Sequence, residues 1–130
     1  MNAPANVTVA ERELDRLEDL WADGLSETYQ SYLGSVTAHE PDRQGRLALA
    51  AALVEVGVRL QGLGAEAAPP AALLMGDLCL ARSSRILTDV ASLPIQVAFA
   101  RAVEQLSGAA ASHGEAPPVR DLLVSALGAR

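Results

Sequence analysis

The chain has 130 residues, half of them hydrophobic, and a formal charge of −6 from ten basic and sixteen acidic side chains. That length suits one domain, and the apolar fraction is enough for a core. All ten basic residues are arginine, scattered without a cluster, which excludes the concentrated basic stripe that nucleic-acid binding needs; the acidic excess favours solubility.

Trp21, Tyr29, Tyr32 and Phe99 are the only aromatic residues, so the core must be built from Leu, Val, Ile and Ala. That mixture favours helix over strand. The expected fold class is all-α, an antiparallel helical bundle of about five helices. Residues 1–8 read as a flexible N-terminal tail and residues 9–130 as a single helical domain. The opening residues lack a basic segment followed by an apolar one, the pattern of a signal peptide. The longest strongly apolar run, Leu47–Val58, carries Glu55 and falls short of the roughly 20 residues of a bilayer span. A cytoplasmic protein without a membrane span is expected.

In chain order, the first helical segment covers about Val9–Leu33. Leu14, Leu17, Trp21, Leu25, Tyr29 and Tyr32 recur at spacings of three and four and form one apolar stripe. Glu11, Arg12, Glu13, Arg16, Glu18 and Asp19 lie between them as a charged face. Gly24 is a candidate break, with Ser26 as the cap of the second piece. Gly34–Glu40 reads as a connection.

Pro41 and Asp42 suit the first turn of the next helix, which runs to about Leu63 and is ended by Gly62 and Gly64. From Leu47 to Leu60 it is apolar on nearly every side, with only the i,i+4 pair Glu55 and Arg59 charged. Such a helix is central to a core or covered by another chain.

Ala65–Pro70 is a linker. A third helix follows from Pro70 to about Thr88. Ser92 and Pro94 start a fourth, whose stripe is Ile95, Ala98, Phe99, Ala102, Val103, Leu106, Ala109 and Ala110, with Gln96, Arg101, Glu104 and Gln105 opposite. Gly114–Pro118 is a loop, and Val119–Leu127 a short last helix.

Motifs for chemistry are missing. Gly57, Gly62 and Gly64 have neither a preceding strand nor a Lys-Ser/Thr pair, so they form no phosphate loop. His39 and His113 sit near helix ends and read as surface or capping residues. The serines have no nucleophile signature, and no aspartate cluster suits magnesium. Cys79, the one cysteine, lies in an apolar run and reads as a buried small hydrophobe.

The third helix is the exception. Gly76 and Asp77 interrupt an apolar stretch. A glycine there costs about 1 kcal/mol relative to alanine, and close approach of another helix is the usual reason for one. Asp77 lies too deep for the helix dipole to explain it. It shares a face with Leu73, Leu80, Ala81 and Ser84, so partial burial and a hydrogen-bond donor are expected.

The stretch Leu74-Met75-Gly76-Asp77-Leu78-Cys79-Leu80-Ala81-Arg82-Ser83 resembles the L-x-G-D-x-x-L-A-R helix of the trans-prenyltransferases, the all-helical polyprenyl diphosphate synthases. With the apolar helix before it and the Ile95–Leu106 helix after it, the resemblance covers about residues 45 to 112. It implies a truncated isoprenoid synthase fold. Where that family's enzymes carry an Asp-Asp-x-x-Asp magnesium motif, this chain reads Gln61-Gly62-Leu63-Gly64-Ala65-Glu66-Ala67-Ala68. The diphosphate-gripping basic residues and the second aspartate motif also have no counterpart. Ionising an allylic diphosphate needs magnesium on the leaving group, so no catalytic residue is carried over.

The family also includes short subunits without aspartate motifs that pair with a catalytic one. The resemblance therefore implies a non-catalytic small subunit of a heterodimeric polyprenyl diphosphate synthase. Such a subunit helps set prenyl chain length for quinone side chains. No cofactor is expected in this chain, with Mg2+ only in the catalytic partner. Leu74, Asp77, Leu78, Ala81, Arg85 and Phe99 are the candidate partner-interface or tunnel-wall residues. The alternative is a homo-oligomeric helical scaffold or adaptor unrelated to isoprenoids.

Overall fold

The computed structural model describes residues 24–62, 70–111 and 118–130. The N-terminal tail, the stripe residues Leu14, Leu17 and Trp21, most of the Ala65–Pro70 linker, and His113 lie outside the described residues. Those described form five helices and no strand: α1 (Leu25–Leu33), α2 (Pro41–Leu60), α3 (Pro70–Val90), α4 (Leu93–Ala111) and α5 (Val119–Leu127). The protein is an all-helical bundle, as composition and periodicity predict.

Helix α2 is its axis. Every residue from Leu47 to Val58 except Glu55 is buried. The sequence left open whether this helix is covered by its own chain or by another, and its own chain covers it. Helices α1 and α3 pack along it, α5 packs on α4, and α4 and α5 close the remaining side. Removing a branched side chain here, as in Leu53→Ala, leaves a void and costs about 2–5 kcal/mol.

Backbone chemistry sets the helix ends. Gly24 precedes α1 with φ +82°, in the left-handed region that favours glycine, and no side chain caps the helix. The break at Gly24 is therefore present, but Gly24 holds the cap position and Ser26 lies inside the first turn, so Ser26 is not the cap. After α2, Gly62 adopts φ +81° and its N–H bonds the Arg59 carbonyl at 3.1 Å, a glycine-terminated helix end. Pro41 opens α2 at its first position. Helix α3 runs two residues past the expected end at Thr88, to Val90, because Ile86 and Leu87 are buried and hold its last turn against the core.

Helices α2 and α3 touch backbone to backbone. A Cβ on Gly76 would sit 2.9 Å from the Gly57 carbonyl oxygen and 2.5 Å from Cγ of Gln61. A Cβ on Gly57 would sit 3.1 Å from both the Gly76 carbonyl oxygen and Cβ of Cys79. This is the close helix approach expected from a glycine inside an apolar helix, and Cys79, a buried cysteine, packs beside it. Farther along the same seam, the buried Ser83 Oγ donates to the Ala50 carbonyl at 2.8 Å.

Candidate partner-binding face

Two sides of α3 differ in chemistry. Gly76, Cys79, Ser83, Ile86 and Leu87 are buried against the core. The outward side carries Leu74, 69% exposed, with Leu73 and Leu78 at 42% and 45%. Asp77, Ala81 and Arg85 lie exposed on the same side. At 100° per residue, Leu74, Asp77, Leu78, Ala81 and Arg85 fall within a sector of about 100°, so five of the six candidate residues share one surface. An aliphatic row left in water on a helix that carries its own buried face is the feature that marks interaction surfaces.

Asp77 departs from expectation. It is exposed rather than partly buried, because Gly76, not Asp77, occupies the position facing α2. Its donor is Gln61 at the end of α2, whose Nε2 donates to Asp77 Oδ1 at 2.7 Å. The bond ties the α2 terminus to α3 beside the glycine contact and fixes where the carboxylate stands.

Phe99 is the sixth candidate and lies elsewhere. It is buried at the floor of a groove between α3 and α4. The groove has a volume of about 370 Å³, with Val54, Leu80, Leu87 and Val103 as its apolar walls and Ser84, Thr88 and Gln96 among its lining. Two of these polar groups already have partners: Thr88 Oγ1 donates to the Ser84 carbonyl at 2.9 Å, and Gln96 Nε2 to the Ala91 carbonyl at 3.0 Å. The groove thus presents hydrocarbon and few open polar groups. Leu80 connects it to the outer leucines, since Leu73 and Leu80 lie seven residues apart on one line of the helix.

On the far side of α2, the Glu55–Arg59 pair that the sequence shows is part of a larger polar cluster, whose other members the spacing does not reveal. Tyr32 OH donates to Glu55 Oε1 at 2.8 Å, and Arg59 Nη2 lies 3.0 Å from Glu55 Oε2. Arg120 of α5 places Nη2 3.4 Å from Glu55 Oε1 and 2.8 Å from Ser31 Oγ, with its guanidinium 4.4 Å above the Tyr32 ring. Burial, and then the hydrogen bond to Glu55 and its negative charge, push the Tyr32 phenol well above its ordinary value; Arg120 and Arg59 pull it partly back. The available signal was Glu55 itself, a carboxylate in an otherwise apolar stretch of helix, which needs such partners. The cluster joins α1, α2 and α5, and its groups satisfy one another, so its role is structural.

His39 fits its capping assignment. Its Nε2 lies 2.8 Å from the carbonyl oxygen of Leu127, the last residue of α5, so the ring donates to a carbonyl that the helix leaves open.

Among the described residues, no group of three or more His, Cys, Asp or Glu is placed to hold a metal ion, and no helix is long and apolar enough to cross a membrane. No protein-family model, curated protein or solved structure matches the chain.

Proposed function

We propose that this chain is a non-catalytic, partner-binding subunit, and that its partner is a catalytic polyprenyl diphosphate synthase whose product length it helps to set. The observation that carries the binding role is the exposed aliphatic row Leu73, Leu74 and Leu78 on α3, beside Asp77 and Ala81. These residues surround the Gly-Asp motif on which the resemblance to the prenyl synthases rests. The partner's identity comes from that resemblance. The groove over Phe99, hydrocarbon-walled and about 370 Å³ in volume, has the size and lining of pockets that take small apolar ligands. It would contribute apolar wall next to the contact. Magnesium would be held by the partner's aspartates alone.

The test is co-purification with full-length prenyl synthases from the same source, with chain elongation assayed with and without this chain. Elongation or product length should depend on its presence. Leu74→Glu combined with Leu78→Glu should abolish that dependence while leaving the circular dichroism of the isolated chain unchanged, and Asp77→Leu should weaken binding with the fold kept. If no synthase binds and elongation is unaffected, the synthase reading fails.

A further inference from the structure

The outer face of α3 is complementary to itself. Asp77 lies four residues before Ala81 and Arg85 four residues after it, all three exposed on one sector of the helix. If two copies of α3 cross antiparallel with the axis at Ala81, each residue meets the one equally far on the other side. Asp77 then faces Arg85 of the second copy, and the pair occurs twice. Leu78 faces Ser84, with the aliphatic stem of Arg85 beside it to cover it. Leu74 faces Thr88, whose hydroxyl is already bonded to the Ser84 carbonyl and asks for no new partner.

Three further observations favour this arrangement. Ala81 adds no bulk at the crossing point, which allows an interaxial distance near the short end of the usual range of about 8–10 Å. Arg85 has no ion-pair partner among the described residues. Asp77 is held by Gln61 through Oδ1, which orients the carboxylate and leaves Oδ2 for a guanidinium. A row of leucines alone would accept any apolar partner. An acid and a base placed symmetrically about a small residue meet the requirement of an isologous two-fold contact.

We infer that the outer face of α3 pairs antiparallel with the same face of a second copy of this chain, about a two-fold axis at Ala81, through two Asp77–Arg85 ion pairs flanked by Leu74 and Leu78. One helix pair is a small contact compared with the roughly 1,000 Å² of specific interfaces, so the dimer is a reversible one. The same leucines serve the synthase contact proposed above, so the two associations compete. The pairing does not depend on that reading, however.

Sedimentation equilibrium of the full chain over a range of concentrations tests it, with circular dichroism confirming the fold of each variant. The parent chain should dimerise reversibly. Arg85→Asp sets a carboxylate opposite the second copy's Asp77 and should weaken the dimer at least tenfold; Ala81→Glu, which brings two like charges together at the axis, should do the same. Combining Asp77→Arg with Arg85→Asp restores opposite charges across the axis and should restore the dimer. A parent chain that stays monomeric overturns the inference. So does a dimer indifferent to Arg85→Asp, or a double exchange that stays as weak as the single one. Synthase binding is measured separately, at concentrations where the chain is monomeric: a chain that dimerises at higher concentration but binds no synthase there sinks only the synthase reading, and a chain that binds one but never dimerises sinks only this pairing.

Discussion

Gly57 and Gly76 face each other across the α2–α3 seam so closely that a methyl group would clash at Gly76 and press on its neighbours at Gly57. The Gly76 position is the tighter, with the Gly57 carbonyl oxygen 2.9 Å and Gln61 Cγ 2.5 Å from where a Cβ would stand. Alanine is intrinsically better in a helix by about 1 kcal/mol, but overpacking a tight seam costs about 1–3 kcal/mol. Here one of the obstructing atoms is backbone. Gly76→Ala is therefore expected to destabilise the protein by up to about 2 kcal/mol net. Urea denaturation measures this, and a more stable variant would show that the seam can open without cost.

Tyr32 provides a pH-dependent term. Its phenol is held above its ordinary value of 10.0 in the folded state, first by burial and then by Glu55. A folded value above the unfolded one means that the stabilisation is complete below about pH 10 and is lost as pH rises from there through the folded value. Stability should fall with a slope of up to about 1.4 kcal/mol per pH unit in that window. Tyr32→Phe should cost about 1.5–3 kcal/mol at pH 7, where a hydrogen bond to a carboxylate is removed, and the gap to the parent should narrow above pH 10. Denaturant midpoints at pH 7 to 11.5 would decide; a gap that stays constant would mean that Tyr32 is not the titrating group.

His39 holds the end of the last helix from the far side of the sequence. Its bond to the Leu127 carbonyl spans 88 positions, and α5 is only nine residues long, too short to be stable alone. His39→Ala should speed amide hydrogen exchange in α5 several-fold while leaving α2 amides protected. Equal loosening of both helices would show that the bond supports the whole bundle.

Ser83 joins the middle of α3 to the Ala50 carbonyl inside the core. Ser83→Ala removes the donor but leaves a carbonyl that α2 can still satisfy, so the expected cost is modest, about 0.5–1.5 kcal/mol. Ser83→Val, which adds bulk where the helices meet, should cost more. Thermal unfolding of the two variants ranks them, and the reverse order would indicate unfilled space at that position.

Much of the architecture was legible in the residues. Leu, Ala and Val at helical spacing, proline at helix starts and glycine at helix ends act within a turn or two, so α2, α4 and α5 lie close to where periodicity places them. The same reach explains the glycine at position 76, whose presence inside an apolar helix already implied a neighbour within touching distance. Asp77 shares a face with Leu73, Leu80, Ala81 and Ser84 as spacing predicts, but that face is turned outward: Leu73, Ala81 and Ser84 are exposed with it and Leu80 is half-buried. Apolar neighbours on one face imply burial only if that face meets the core, and the rotation that seats Gly76 against Gly57 turns it to solvent, about 100° from Gly76 at the Asp77 step.

Residue types and their spacing are enough to make this protein helical, to mark Leu47–Val58 as its longest strongly apolar run and to place the unusual residues on α3. Tertiary structure alone decided which neighbours cover α2, that Leu73, Leu74 and Leu78 are left outside while Phe99 lines a groove, and that Tyr32, Glu55 and Arg120 meet. Those outcomes depend on how separate helices rotate and cross, and packing of the whole bundle sets that rotation where no local residue pattern does.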